Sequence, residues 1–159
     1  MALSIRSSSF TDGSRIPARH TCEGADVSPD LTFDGVPAGT RSLALVVEDP
    51  DAPDPRAPTR VWVHWILYDL PPDTRVLPEG LAAAGLPTKA REGLNDWNRA
   101  GWGGPCPPIG SHRYFFKLYA LDRELGDLRR PKKATLLDAM KGHLLAEAQV
   151  MGTYEKQTP

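Results

Sequence analysis

The fold is decided by the stretch Ser42-Leu43-Ala44-Leu45-Val46-Val47-Glu48, a short aliphatic run bounded by turn residues. Such a run is typical of a buried strand, which here is expected to end at Asp49. A second strand is predicted over residues 61–68, where β-branched and aromatic residues dominate. Both of its faces are mostly apolar, so we expect it to lie inside a sheet. One face would carry Trp62, His64, Ile66 and Tyr68.

A third strand is predicted over residues 113–121 and a helix over 135–151. The strand would place His112, Tyr114, Phe116 and Leu118 on one face. The helix would begin at a capping box of Thr135 and Asp138 and would carry an apolar stripe. Residues 78–111 are rich in Gly and Pro and predict a long loop region. Because strands dominate and no βαβα alternation occurs, the sequence predicts a mainly antiparallel β domain with a helix packed against it.

Length and charge limit the classes of function. The chain has 159 residues and a formal net charge of −1, which fits one domain spanning 1–159 and argues against non-specific nucleic-acid binding. No apolar run is long enough to span a membrane or to form a signal peptide. The two cysteines, Cys22 and Cys106, predict reduced thiols in a cytoplasmic protein, although a single bridge between them stays open.

Two aspartates follow the first strand directly. Asp49 and Asp51 each precede or sit among prolines, where a carboxylate commonly accepts backbone N–H bonds in a turn. The functional interpretation is that one of them accepts a hydrogen bond from a histidine such as His64. That bond would orient the imidazole ring and raise its pKa.

Histidines with aromatic neighbours recur on two predicted strands. His64 follows Trp62, and His112 precedes Tyr114. Before the second pair comes the loop Gly101-Trp102-Gly103-Gly104-Pro105-Cys106-Pro107-Pro108, in which glycine permits close approach of backbone to a ligand and proline makes the loop rigid. If the two strands are neighbours, these groups converge on one small polar pocket suited to an anion, most plausibly phosphate.

Short motifs in a fixed order run through nearly the whole chain. They are Thr21-Cys22-Glu23-Gly24, Ser28-Pro29, Asp49-Pro50-Asp51-Ala52-Pro53, Trp62-Val63-His64-Trp65, Gly103-Gly104-Pro105-Cys106-Pro107-Pro108, His112-Arg113-Tyr114, Gly142-His143 and Gly152-Thr153-Tyr154. By these motifs the chain resembles the phosphatidylethanolamine-binding proteins, specifically their bacterial Raf-kinase-inhibitor-like branch. It departs from the eukaryotic members in lacking their extended C-terminal segment and in carrying Cys106.

The resemblance implies a large central sheet and a smaller sheet, both antiparallel, with a helix near the C-terminus and short peripheral helices. It also implies a non-enzymatic binding or regulatory protein whose pocket takes phosphate-like anions or phospholipid head groups, without a cofactor, and it suggests a homodimer. The ligand-binding residues would be Asp49, Asp51, Pro53, Trp62, His64, Gly104, Pro105, His112 and Tyr114.

Two alternatives remain open from the residues themselves. A hydrolase could use Cys106 as a nucleophile with His112 as its base. Alternatively, a metal site could be formed by Asp49, Asp51, His64 and His112, since mixed nitrogen and oxygen ligation is chemically reasonable.

Overall fold

The computed structural model describes residues 1–158, which form two antiparallel sheets and one α-helix. In chain order the elements are β1 (Ser4–Arg6), β2 (Leu31–Asp34), β3 (Ser42–Ala52), β4 (Arg60–Leu70), β5 (Val76–Leu77), β6 (Arg91–Glu92), β7 (His112–Leu121), α1 (Lys133–Met140) and β8 (Leu144–Tyr154). The larger sheet has the order β6-β4-β3-β7-β8 and the smaller β1-β2-β5. The predicted fold class is confirmed. Within residues 1–158, no helix has the length and apolar character that a membrane span requires.

The main core lies between the two sheets. Alternate residues of β3, β7 and β8 turn one face of the large sheet towards the small sheet, where aliphatic and aromatic side chains are completely buried. The opposite face of the large sheet is covered by α1, which contributes Leu136 and Met140 to a second apolar cluster. Because both faces of β3 are buried, its sequence is an unbroken aliphatic run rather than an alternating one.

The predicted helix over 135–151 is wrong in its second half. The α-helix ends at Met140, and Gly142, with φ of +81°, turns the chain into β8. Glycine adopts that left-handed conformation at no steric cost, and a residue in it ends the helix. The predicted capping box also fails, because the N-cap residue is Lys132 and makes no side-chain cap bond. His143, expected within the helix, lies in the turn.

The register between β3 and β4 is irregular near His64. Val47 lies opposite Trp65 and Glu48 lies opposite Val63, so His64 is an extra residue on β4. This is the pattern of a β-bulge, which re-aims the side chain of the bulged strand. As a result Trp62 and His64 lie on a different face from Ile66, which corrects the predicted single face of β4.

Candidate functional site

A cavity of about 420 Å³ opens where the end of β3 meets the first residues of β4 and β7. Its lining consists of Asp49, Ala52, Pro53, Thr59, Arg60, Trp62, His64, Trp97, Cys106, Pro107, Pro108, His112 and Tyr114. Six of the nine predicted site residues are in this lining, namely Asp49, Pro53, Trp62, His64, His112 and Tyr114. The structure places the other three, Asp51, Gly104 and Pro105, outside it.

His112 is held by hydrogen bonds at both ring nitrogens. Its Nδ1 lies 2.6 Å from Oδ2 of Asp49, and its Nε2 lies 2.9 Å from the carbonyl oxygen of Ile109 and 3.1 Å from that of Pro53. A carbonyl oxygen only accepts, so Nε2 carries a hydrogen. One further proton is shared between Nδ1 and Asp49. His112 therefore has no nitrogen left for a ligand.

Asp49 is a buried carboxylate that orients His112 rather than His64, contrary to expectation. Its Oδ1 accepts the backbone N–H of Asp51 at 2.7 Å, and its Oδ2 is bonded to His112. Burial raises the pKa of Asp49 above its ordinary value, and the hydrogen bond to His112 opposes that rise. Whether the shared proton sits on oxygen or nitrogen, the two side chains together carry no net charge.

Asp51 is turned towards Arg113. Its Oδ2 accepts the backbone N–H and the Nε–H of Arg113 at 2.9 and 3.0 Å, and its Oδ1 accepts Nη2–H at 2.9 Å. The hydrogen bonds from this arginine hold the pKa of Asp51 below its usual value. Asp51 thus ties the end of β3 to the start of β7 and contributes to the site only through that tie.

His64 donates from Nδ1 to the carbonyl oxygen of Gly103 at 2.6 Å. The side chain is almost completely buried, and this burial lowers its pKa to about 4, so the ring is neutral at physiological pH. The expected rise in its pKa is therefore wrong. The ring meets those of Trp97 and Tyr114 edge-on, with centroids 5.1 and 5.2 Å apart.

Two buried donors at the cavity have no hydrogen-bond partner in residues 1–158. They are Nε1–H of Trp62 and the hydroxyl group of Tyr114. Burial raises the pKa of Tyr114 far above its usual value, as do the nearby charges of Asp49 and Asp51, so the hydroxyl keeps its proton. The Asp49 carboxylate lies close to this hydroxyl but outside hydrogen-bond geometry. Buried polar groups in folded proteins almost always have a partner, and both residues belong to the cavity wall.

Gly104 and Pro105 support the cavity from behind. The N–H of Gly104 donates to Oδ1 of Asp26 at 2.9 Å, and a side chain at position 104 would collide with that carboxylate and with the carbonyl group of His20. The carbonyl of Pro105 accepts the N–H of Cys22 at 3.1 Å. These contacts hold the loop that supplies the carbonyl partner of the buried imidazole.

Cys22 and Cys106 form a disulfide that joins two chain segments 84 residues apart. The expectation of reduced thiols is wrong, so the cysteines no longer indicate a cytoplasmic location. The hydrolase alternative also fails in the form predicted, because Cys106 has no thiol to act as a nucleophile. The ring nitrogens of His112, its proposed base, are both engaged.

The four residues of the metal alternative do not form a ligand set. Asp51 is paired with Arg113, and His112 is saturated by the carboxylate and carbonyl groups around it. Across residues 1–158, no group of three or more His, Cys, Asp or Glu side chains is placed to hold a metal ion.

Sequence reasoning missed part of the cavity wall, above all Arg60 and Trp97. The guanidinium group of Arg60 lies 4.3 Å from the ring centroid of Trp62, in cation–π contact, and Trp97 meets the same ring edge-on at 5.4 Å. The signal for Trp97 was its place in the polar-aromatic segment 95–98. Asn95 orders that segment by accepting the N–H of Trp97 at 2.9 Å.

Fold and cavity together define a small two-sheet protein with a buried, aromatic-walled polar pocket. A model of the family described as "phosphatidylethanolamine-binding protein" matches residues 6–155. A UPF0098 protein of Methanothermobacter thermautotrophicus is 45% identical over 155 residues, covering 97% of this chain and 99% of its own. The chain belongs to the phosphatidylethanolamine-binding protein family.

Two solved structures have the same fold. A putative phosphatidylethanolamine-binding protein homolog from Chlamydia trachomatis is 43% identical, with a TM-score of 0.90 over 98% of this chain and 99% of its own. E. coli YbcL, described as a new member of the mammalian family, is 34% identical, with a TM-score of 0.87 over 99% of this chain and 100% of its own.

Proposed function

We propose that this protein is a non-enzymatic binding protein whose cavity takes a phosphate-like anion, free or as part of a phospholipid head group. The observation that supports this most directly is a pair of buried donors that make no hydrogen bond within the described residues, Nε1–H of Trp62 and the hydroxyl of Tyr114. A ligand that brings oxygen acceptors would satisfy both and remove the cost of leaving them buried and unpaired. Arg60 adds positive charge to the lining.

Binding rather than turnover is supported by the state of the possible catalytic groups. The sulfur of Cys106 is in a disulfide, and both nitrogens of His112 are engaged. His64, with a pKa lowered to about 4, is a weak base at neutral pH. A regulatory role of the Raf-kinase-inhibitor-like kind therefore fits better than hydrolysis. We expect no phosphate release when the protein is incubated with phosphate esters.

Titration calorimetry with inorganic phosphate and with glycerophosphoethanolamine tests the binding itself. Tyr114→Phe removes only the hydroxyl and should weaken phosphate binding about 10-fold or more, as expected for one hydrogen bond to a charged group. Its thermal stability should fall little, because the lost hydroxyl makes no hydrogen bond within residues 1–158. Tyr119→Phe, on the same strand in the half-buried region of the opposite face, is the matched control and should bind like the wild type. Absence of phosphate binding by the wild type overturns the proposal.

A homodimer is part of the proposal. Val61 and Ile109, which are 42% and 46% exposed, lie next in the chain to residues that line the cavity, and Trp97 in its wall is also partly exposed. Exposed apolar and aromatic side chains of this kind favour an interface. Light scattering over a concentration series should show a dimer that Val61→Asp weakens and that Leu144→Asp, at the far end of the sheet, leaves intact. A strictly monomeric wild type contradicts it.

A further inference from the structure

A second cavity, of about 560 Å³, lies beside β6, the edge strand of the large sheet, and shares no residue with the lining of the first. Three arginines line it, Arg91, Arg129 and Arg130, together with two carboxylates, Glu92 and Asp127, and three apolar or aromatic residues. The lining therefore has a net positive charge. We call this cavity the arginine groove.

Two of the three guanidinium groups have no carboxylate partner. Arg91 lies 3.4 Å from Asp69 and 4.0 Å from Asp127, whereas Arg129 and Arg130 are exposed and form no ion pair within residues 1–158. Both have a left-handed backbone, with φ of +61° and +51°. This conformation is costly for residues that carry a Cβ atom, and two in succession are uncommon. The loop thus keeps two cations in one groove in spite of backbone strain.

The loop that carries these arginines is fixed to the sheet on both sides of them. The N–H of Leu128 donates to the hydroxyl of Tyr68 at 3.1 Å, and the carbonyl of Pro131 accepts the N–H of Leu94 at 2.8 Å. A side chain at position 93 would collide with that carbonyl, so the loop packs closely on the strand end. A backbone that is ordered before a ligand arrives lowers the entropic cost of binding.

The edge of the sheet is open at Glu92. The N–H of Gly93 donates to the carbonyl of Ile66 at 3.0 Å, so the backbone groups of Gly93 point towards β4. Because these directions alternate along an antiparallel strand, the N–H and C=O groups of Glu92 point away from β4. Pro131 occupies the edge at Leu94, but no loop within residues 1–158 bonds the backbone of Glu92. Such an open edge can accept a strand from another chain.

We propose that the arginine groove docks an extended acidic segment of a partner protein. The backbone of the segment would pair with Glu92, and its carboxylates would reach the guanidinium groups of Arg129 and Arg130. Charge complementarity identifies the partner, because the planar guanidinium fork matches a carboxylate and binds it through two hydrogen bonds. Alternate side chains of a strand share one face, so acidic residues at every second position fit best. Docking there does not depend on the anion pocket.

Fluorescence anisotropy with a labelled hexapeptide of alternating valine and glutamate tests the docking. The matched control peptide has glutamine in place of glutamate and should bind at least about 10-fold more weakly, because it lacks the charge-assisted hydrogen bonds. Added salt should weaken binding of the glutamate peptide, since the arginines are exposed. No binding of the glutamate peptide at up to about 1 mM overturns the proposal, as does equal binding of the two peptides.

Variants of the loop test the residues. Arg130→Gln should weaken binding of the glutamate peptide about 10-fold. Arg123→Gln is the matched control, because it removes the same charge from the same connection between β7 and α1 but lies outside the groove. The double variant Arg129→Glu, Arg130→Glu should instead prefer a peptide of alternating valine and lysine. Equal losses in Arg130→Gln and Arg123→Gln would mean that overall charge attracts the peptide, which refutes docking in the groove.

Hydrogen exchange distinguishes strand addition from attraction of charge alone. The glutamate peptide should slow exchange of the Glu92 amide at least about 10-fold and leave that of Gly93, which is already bonded to Ile66, little changed. If the peptide binds and exchange at Glu92 is unaltered, strand addition is refuted. A single-stranded oligonucleotide that competes as strongly as the peptide would show a general polyanion surface and refute the assignment to an acidic protein segment.

Discussion

Stability should depend on pH through His64, whose pKa is lowered from 6.5 to about 4 by burial. Between these values the unfolded chain binds a proton at this residue and the folded protein does not. The contribution of the neutral ring to the free energy of unfolding is therefore fully present above about pH 6.5. It is lost as the pH falls towards 4. Each pKa unit between the unfolded and the folded state corresponds to about 1.4 kcal/mol. The full loss of folding free energy is therefore about 3 kcal/mol.

Urea unfolding of the wild type and of His64→Gln at several pH values between about 7.5 and 4 measures this contribution. Other titrating groups affect both proteins, so the difference between their free energies of unfolding isolates His64. We expect that difference to change by about 3 kcal/mol in favour of the variant as the pH falls. His143→Gln should follow the wild type. Parallel curves for wild type and His64→Gln would refute the buried, neutral imidazole.

Three further predictions concern the disulfide, Gly103 and Glu23. Replacing both Cys22 and Cys106 by Ala should lower the free energy of unfolding by about 4 kcal/mol, because the bridge spans 84 residues; a loss below about 1 kcal/mol in urea would contradict this. Gly103→Ala should destabilise the protein and weaken phosphate binding, since its Cβ would collide with the Trp97 ring; calorimetry showing wild-type affinity would be the contrary result. Hydrogen bonds lower the pKa of Glu23 to about 2, so Glu23→Gln should be less stable than the wild type near pH 6. In thermal melts the difference in melting temperature between the two proteins should disappear as the pH falls from 4.5 to 2.

Strands β3, β4 and β7 were predictable because their residues are typical of buried strands. β3 and β7 have burial patterns that follow directly from an aliphatic run and from strict alternation, and both were placed within a few residues. β8 was not predicted. Its inward residues Ala148, Val150 and Gly152 are small or apolar at every second position, but Leu137, Met140 and Leu144 before them continue a helical spacing. The spacing of apolar residues alone could not show that Gly142 separates a helical pattern from a strand pattern.

Six residues of the cavity lining were predicted from the sequence, but their hydrogen-bond partners were not. Sequence neighbours suggested that Asp49 would orient His64, because the turn after β3 leads directly into β4. In the structure Asp49 reaches across the sheet to His112. Which histidine a carboxylate meets depends on strand register, and the register here contains a bulge that no local pattern reveals.

The bulge at His64 connects the fold to the chemistry of the cavity. Strict alternation along β4 would put Trp62 and Trp65 on opposite faces of the sheet. The extra residue instead allows Trp65 to pack in the core while Trp62 and His64 both line the cavity. There the carbonyl of Gly103 uses the donor nitrogen of the imidazole and leaves an acceptor beside two donors. Restoring regular pairing by deleting Val63 should therefore move this acceptor out of the cavity and weaken phosphate binding in calorimetry, even if the variant still folds.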